Sequence, residues 1–216
     1  MNLKPSRISV LIVDDHPIVR DGYRRLLSGM ADIGAIAEAS DGESALITYR
    51  RQRPDVVIMD LTMPGMGGLE AIRQLREGDA EAKILVFSMH DSDALIDRCI
   101  ELGVLGYLIK SSGQDQLVDA VRQIALGKPY MDSTQAMRMA VRRRESIGEP
   151  TAALTSREFQ IFQMLAEGLS VQQIAHALGI SPSTVGVHRA NLLRKTALAN
   201  DNQLVRLAIR LGIIEA

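Results

Sequence analysis

The chain has one cysteine, Cys99, in 216 residues, so no internal disulfide can form and a reducing compartment is the simpler setting. An excess of charge of either sign is also missing. Lys and Arg number 25 against 26 for Asp and Glu, and a net charge of −1 does not by itself call for nucleic acid or a membrane. No run approaches the roughly 18 apolar residues of a spanning helix. The opening "MNLKPSRISVLIVDD" passes from a short apolar stretch straight into two aspartates with no cleavage-site pattern. A cytoplasmic chain with no membrane partner is expected. What is present is ordinary globular material, 46% apolar and 24% charged, in a length that suits one medium domain and one small one.

Five apolar, β-branched-rich runs stand out: Ile8 to Val13, Ile33 to Ala39, Val56 to Met59, Ile84 to Phe87 and Gly106 to Ile109. Each is followed by apolar positions at helical spacing, such as Leu117, Val121 and Ile124 after the last. Strands alternating with helices predict a five-stranded, doubly wound parallel sheet covered on both faces. Cys99 reads as a small buried hydrophobe on one of the helices. After Tyr130 the composition turns polar, and a short helix leads into a linker. There Arg142, Arg143 and Arg144 read as solvated surface. Beyond it "TSRE" at Thr155 to Glu158 and "SVQQ" at Ser170 to Gln173 are capping boxes, and "SPST" places Ser181 at a cap with Pro182 first in the helix. A fourth helix is expected around Asn202 to Leu211, so the whole is α/β plus all-α. The expected divisions are residues 7–127, a helical linker over 128–150, and a four-helix module over 151–216.

In open parallel sheets ligands collect at the carboxyl ends of the strands, where strand order reverses. With order 2-1-3-4-5, Asp14 and Asp15 end the first strand beside Asp60, which ends the third, and Ser88 and Lys110 follow the fourth and fifth. Like charges that close raise one another's pKa unless a cation joins them. Few, oxygen-only protein ligands suit Mg²⁺, which keeps waters and welcomes a phosphate oxygen. A carboxylate nucleophile beside Mg²⁺, a lysine and a hydroxyl is a phosphoryl acceptor. Met59, Met63, Met66 and Met89 surround this site and read as core packing. His16, His90, His176 and His188 lack metal-ligand spacing and read as surface or cap residues.

Over residues 8–126 the segments "LIVDDHPIVRDG", "DVVIMDLTMPGMGGLE", "ILVFSMH" and "GYLIKS" resemble the receiver domain of two-component response regulators, a flavodoxin-like fold. The resemblance implies that Asp60 takes a phosphoryl group from a cognate histidine kinase. It also implies that Asp15 and Asp60 bind Mg²⁺ with the Thr62 carbonyl, and that Asp14 assists through water. Ser88 and Lys110 would meet the phosphoryl oxygens, and Tyr107 would be the aromatic switch, against the plain alternative of a half-buried strand residue. Ser111 stands where many receivers carry proline.

Residues 154–195, with the pattern "LAEGLS…IA…L.IS.STV..H", resemble the LuxR-type helix-turn-helix of the NarL/FixJ family. This implies a helix over Val171 to Leu178, a turn at Gly179 and a recognition helix over Pro182 to Thr196. Double-stranded DNA would meet Ser183, Thr184, Val187, His188, Asn191, Arg194 and Lys195, with Val185, Leu192 and Leu193 toward the core. That face is mostly neutral, with Ser183, Gly186 and Ala190 where many relatives carry lysine. From Thr151 onward six basic residues face four acidic ones. A single copy should therefore bind DNA weakly and depend on pairing of two copies. Gly186 fits either a close backbone approach to DNA or a tolerated helix defect, and Thr196 in place of a usual leucine is expected to loosen the helix end.

The expected function is a transcription factor, not an enzyme, in which phosphorylation of Asp60 controls homodimerisation and DNA binding. A phosphatase of the haloacid-dehalogenase type needs a second acid two residues after its nucleophile, where this chain has Thr62. The remaining alternative is a protein-interaction output with little or no specific DNA binding.

Overall fold

The computed structural model describes residues 7–145 and 150–214, apart from the side chains of 142–145. The Arg142–Arg144 side chains, expected as linker surface, lie outside the described residues. By internal contacts the chain forms two compact units. One is built from the segments up to Met89 and Cys99–Asp132, the other from His90–Arg98 and Ser133 onward.

The first unit is an α/β sheet structure. Strands β1 (Ile8–Val13), β2 (Ile33–Ala39), β3 (Val56–Met59), β4 (Ile84–Ser88), β5 (Gly106–Ile109) and β6 (Tyr130–Met131) pair in parallel in the order β2-β1-β3-β4-β5-β6. Helices α1 (Pro17–Ser28), α2 (Gly42–Gln52), α3 (Gly68–Gly78), α4 (Asp93–Glu101) and α5 (Gln114–Ala125) connect them along the chain, with most of α4 counted in the second unit. β3 and β4 are buried at every position, as strands covered on both faces must be, which is why they read as unbroken apolar runs. Alternate residues Val10, Ile12, Val56, Ile58, Leu85 and Phe87 feed one core cluster, which α5 completes with Leu117, Val121 and Ile124. Cys99 is buried on α4, as expected.

The sheet has six strands where the sequence predicts five. β6 is two residues long, too short to show a period, and it pairs Tyr130 with Gly106 and Met131 with Tyr107.

The second unit is helical: α6 (Ser133–Glu145), α7 (Ser156–Ala166), α8 (Val171–Leu178), α9 (Pro182–Thr196) and α10 (Asp201–Arg210). Both capping boxes form, with Thr155 and Glu158 closing α7 and Ser170 and Gln173 closing α8. Gly179 ends α8 at φ 62°, a left-handed turn that sets α9 across it. Ser181 caps α9 with Pro182 in its first turn. Phe159, Phe162, Ile174, Val185, Leu192 and Leu204 are fully buried and hold α7 to α10 together. Among the described residues no helix is long and apolar enough to cross a membrane.

Candidate functional site

The strand ladders continue one residue past β1 and β3. The Asp14 N–H donates to the Ala39 carbonyl (3.2 Å) and the Asp60 N–H to the Val13 carbonyl (2.9 Å), so the two carboxylates emerge side by side at the carboxyl edge. The same logic aligns β4 and β5, where the Lys110 N–H donates to the Ser88 carbonyl at 2.8 Å. Backbone packing then pins the Asp60 corner. A Cβ on Gly68 would stand 2.1 Å from the Asp60 carbonyl oxygen, so only glycine fits where α3 begins.

Lys110 reaches both acids, its Nζ lying 2.7 Å from Asp14 Oδ2 and 2.7 Å from Asp60 Oδ2. All three side chains are almost wholly buried. One cation thus serves two anions. Burial pushes the Asp60 carboxyl above its ordinary value, Lys110 pulls against that shift, and the charge on Asp14 adds to it. Burial alone would lower the Lys110 ammonium, but its two carboxylate partners hold it above the ordinary lysine value.

Asp14 is supplied with a protein donor on both oxygens, since Oδ1 accepts the His16 N–H at 2.8 Å while Oδ2 takes Lys110. Asp15 is not. Its Oδ1 is buried and receives no hydrogen bond. Asp60 Oδ1 has only a long contact, 3.4 Å, from the Thr62 N–H. Oxygens left short of donors in a buried acidic group suit a divalent cation. Ligand-capable atoms of Asp14, Asp15, His16 and Asp60 lie within 4.8 Å of one another. Ser88 is fully buried at the end of β4, and Tyr107 is fully buried in β5 rather than half-buried.

One sequence expectation around the site changes, and another holds with an addition. Met89, expected to pack in the core, is 70% exposed, because β4 ends at Ser88 and the next residue turns outward. His16, expected as a surface or cap residue, is exposed and occupies the cap position of α1 without a side-chain cap bond. Its Nδ1, however, turns back onto the acids, 2.8 Å from Asp15 Oδ1 and 3.3 Å from Asp14 Oδ1. The "DDH" run was the available signal.

In the helical unit, Ser183, Thr184, Gly186, Val187, Ala190 and Arg194 of α9 are exposed, while His188 and Asn191 are partly so. Val185 and Leu192 are fully buried, with Leu193 only half-buried. Two of the helix's three cations are committed within the fold. The Arg189 guanidinium grips Asp201 at 2.8 Å, and Lys195 Nζ lies 2.6 Å from Glu158 Oε2. Glu158 therefore serves both a capping box and an ion pair, a second role that sequence could not show because its partner lies far along the chain. Burial alone would raise the Glu158 carboxyl, but Lys195 and the Thr155 N–H hold it below the ordinary value. Thr196 donates its hydroxyl to the Leu192 carbonyl at 2.7 Å, so the helix end expected to be loose is bonded to its own backbone.

Residues 10–122 match the response regulator receiver domain family, and residues 152–208 match the luxR family of bacterial regulatory proteins. The response regulator UvrY of Escherichia coli K12 is 38% identical over 211 residues, 97% of each chain. The transcriptional regulatory protein UhpA of Salmonella typhimurium is 40% identical over 197 residues, 91% of this chain and 95% of that one. A crystal structure of a LuxR-family two-component response regulator from Aurantimonas sp. SI85-9A1 shares 43% identity at TM-score 0.61, covering 64% of this chain and 99% of that one. With both modules matched in order and relatives aligned over nearly its whole length, the chain belongs to the two-component response regulators that join a receiver domain to a LuxR-type helix-turn-helix.

Proposed function

We propose that this response regulator is switched by phosphorylation of Asp60 and reads double-stranded DNA as a homodimer through α9. The carrying observation is the pairing of Asp14 and Asp60 through one buried lysine at the carboxyl edge of the sheet. In this reading a carboxylate oxygen of Asp60 attacks the phosphorus of a kinase phosphohistidine. The P–N bond breaks, an acyl phosphate forms, and the imidazole leaves and takes up a proton from solvent. Asp15, Asp60 and the Thr62 carbonyl would hold Mg²⁺, with Asp14 acting through water, and the ion when bound neutralises charge on the phosphoryl oxygens.

Lys110, already against Asp60, supplies the second positive charge, and the Ser88 hydroxyl at the neighbouring strand end supplies a donor. Tyr107, buried in β5 three residues before Lys110, would repack when they shift. The modules are residues 7–127 and 151–216, joined by 128–150. On α9, Ser183, Thr184, Val187, His188, Asn191 and Arg194 form the reading surface, with Lys195 at its end. Mass spectrometry of the full chain after incubation with acetyl phosphate and magnesium tests the switch. A phosphoryl adduct mapping to Asp60 and absent from Asp60→Asn is expected; no adduct, or one elsewhere, overturns the reading.

A second reading, an output that binds protein in place of DNA, is favoured by the internal commitment of Arg189 and Lys195. Titration of the phosphorylated full chain against genomic DNA fragments at low salt separates the two, since the absence of any specific complex would leave only the second.

A further inference from the structure

The metal reading above uses acidic oxygens, yet the structure sets an imidazole nitrogen among them. His16 Nδ1 lies 2.8 Å from Asp15 Oδ1 and 3.3 Å from Asp14 Oδ1. The nearer pair is within hydrogen-bond distance, yet that buried Asp15 oxygen has no hydrogen-bond partner. Adjacent ligands at right angles around an ion with bonds of about 2.1 Å stand roughly 3 Å apart. The Nδ1 to Oδ1 separation is close to that edge length. The main chain of His16 is fixed beside the acids: its N–H donates to Asp14 Oδ1 at 2.8 Å, and Pro17 begins α1 immediately after.

We propose that His16 is an additional ligand of the acidic site, giving it a nitrogen donor that widens its choice of ion from magnesium to imidazole-binding divalent cations such as zinc and cobalt. The inference rests on the metal reading of the receiver site. Magnesium is a hard ion served by oxygen, so His16 adds little to its affinity. Borderline ions gain from nitrogen, and their advantage over magnesium depends on the ring. Because the His16 side chain makes no cap bond to α1, its removal leaves the helix start with the hydrogen bonds it has now.

The test is calorimetric binding of Mg²⁺, Co²⁺ and Zn²⁺ to the full chain and to His16→Ala, with the imidazole nitrogens followed by long-range ¹H–¹⁵N NMR during Zn²⁺ titration. The ratio of Co²⁺ to Mg²⁺ affinity is expected to fall about tenfold or more in the variant. Nδ1 of His16 should move on Zn²⁺ addition while the rings of His90, His176 and His188 stay put. An unchanged ratio, or a His16 Nδ1 that does not respond, overturns the proposal and leaves the magnesium reading standing. If Mg²⁺ itself fails to bind the full chain, the metal reading fails first and this inference goes with it.

Discussion

Lys110 is the residue on which the acidic edge balances. With its ammonium shared by Asp14 and Asp60, replacing it leaves two buried carboxylates facing each other. Lys110→Met should destabilise the full chain by about 3 kcal/mol in urea unfolding. Adding Asp60→Asn to that variant should restore much of the loss, because one anion then remains. Glu158 is the corresponding residue of the helical unit. Its carboxyl sits below its ordinary value, so its contribution is full above the unfolded value of 4.5 and is lost as pH falls through the lower folded value. Glu158→Gln should cost roughly 1 to 2 kcal/mol at neutral pH. Below pH 4.5 its unfolding curve should converge on that of the unaltered chain. At this scale the sequence displayed identities and hid company. Asp14, Asp60, Ser88 and Lys110 could be placed at one edge because strand ends are countable. The hold of Lys195 on Glu158 and of Arg189 on Asp201 depends on how helices pack, which no local pattern encodes.

Among the elements, α9 carries two residues at odds with its regularity. Ala197, just past its end, adopts φ 55°, a left-handed conformation that costs a residue with a Cβ. Ala197→Gly should therefore raise stability by about 0.5 to 1 kcal/mol in thermal or urea unfolding, the gain in backbone fit exceeding the added freedom of the unfolded chain. Gly186 lies in mid-helix with nothing within 4 Å of a built Cβ, so Gly186→Ala should add about 1 kcal/mol by helix propensity. If that stabilised variant also loses DNA affinity, close approach of the backbone to DNA explains the glycine; retained affinity marks it as tolerated. The caps of α7, α8 and α9 were legible because each is a pattern of four consecutive residues. β6 was not legible, because two residues carry no alternation and pair only when β5 presents its free edge.

For the whole molecule, the scarcity of uncommitted cations on α9 predicts how DNA binding responds to salt. Each phosphate contact contributes a slope of about −0.9 in log affinity against log salt. Arg194→Ala in the phosphorylated full chain should make that slope shallower by about one contact per copy. Lys195→Ala, whose side chain is already paired with Glu158, should leave the slope nearly unchanged while lowering stability. The sheet's borders bear on assembly as well. One rim is β6, with two rungs, and the other is β2, where Glu38 is gripped by Arg20 and Arg24. β6 is too short a template for an invading strand, and along the seven residues of β2 the ion-paired Glu38 interrupts an otherwise apolar edge. At the β6 rim, then, a second copy meets side-chain surfaces that can separate again and not a ladder that could grow.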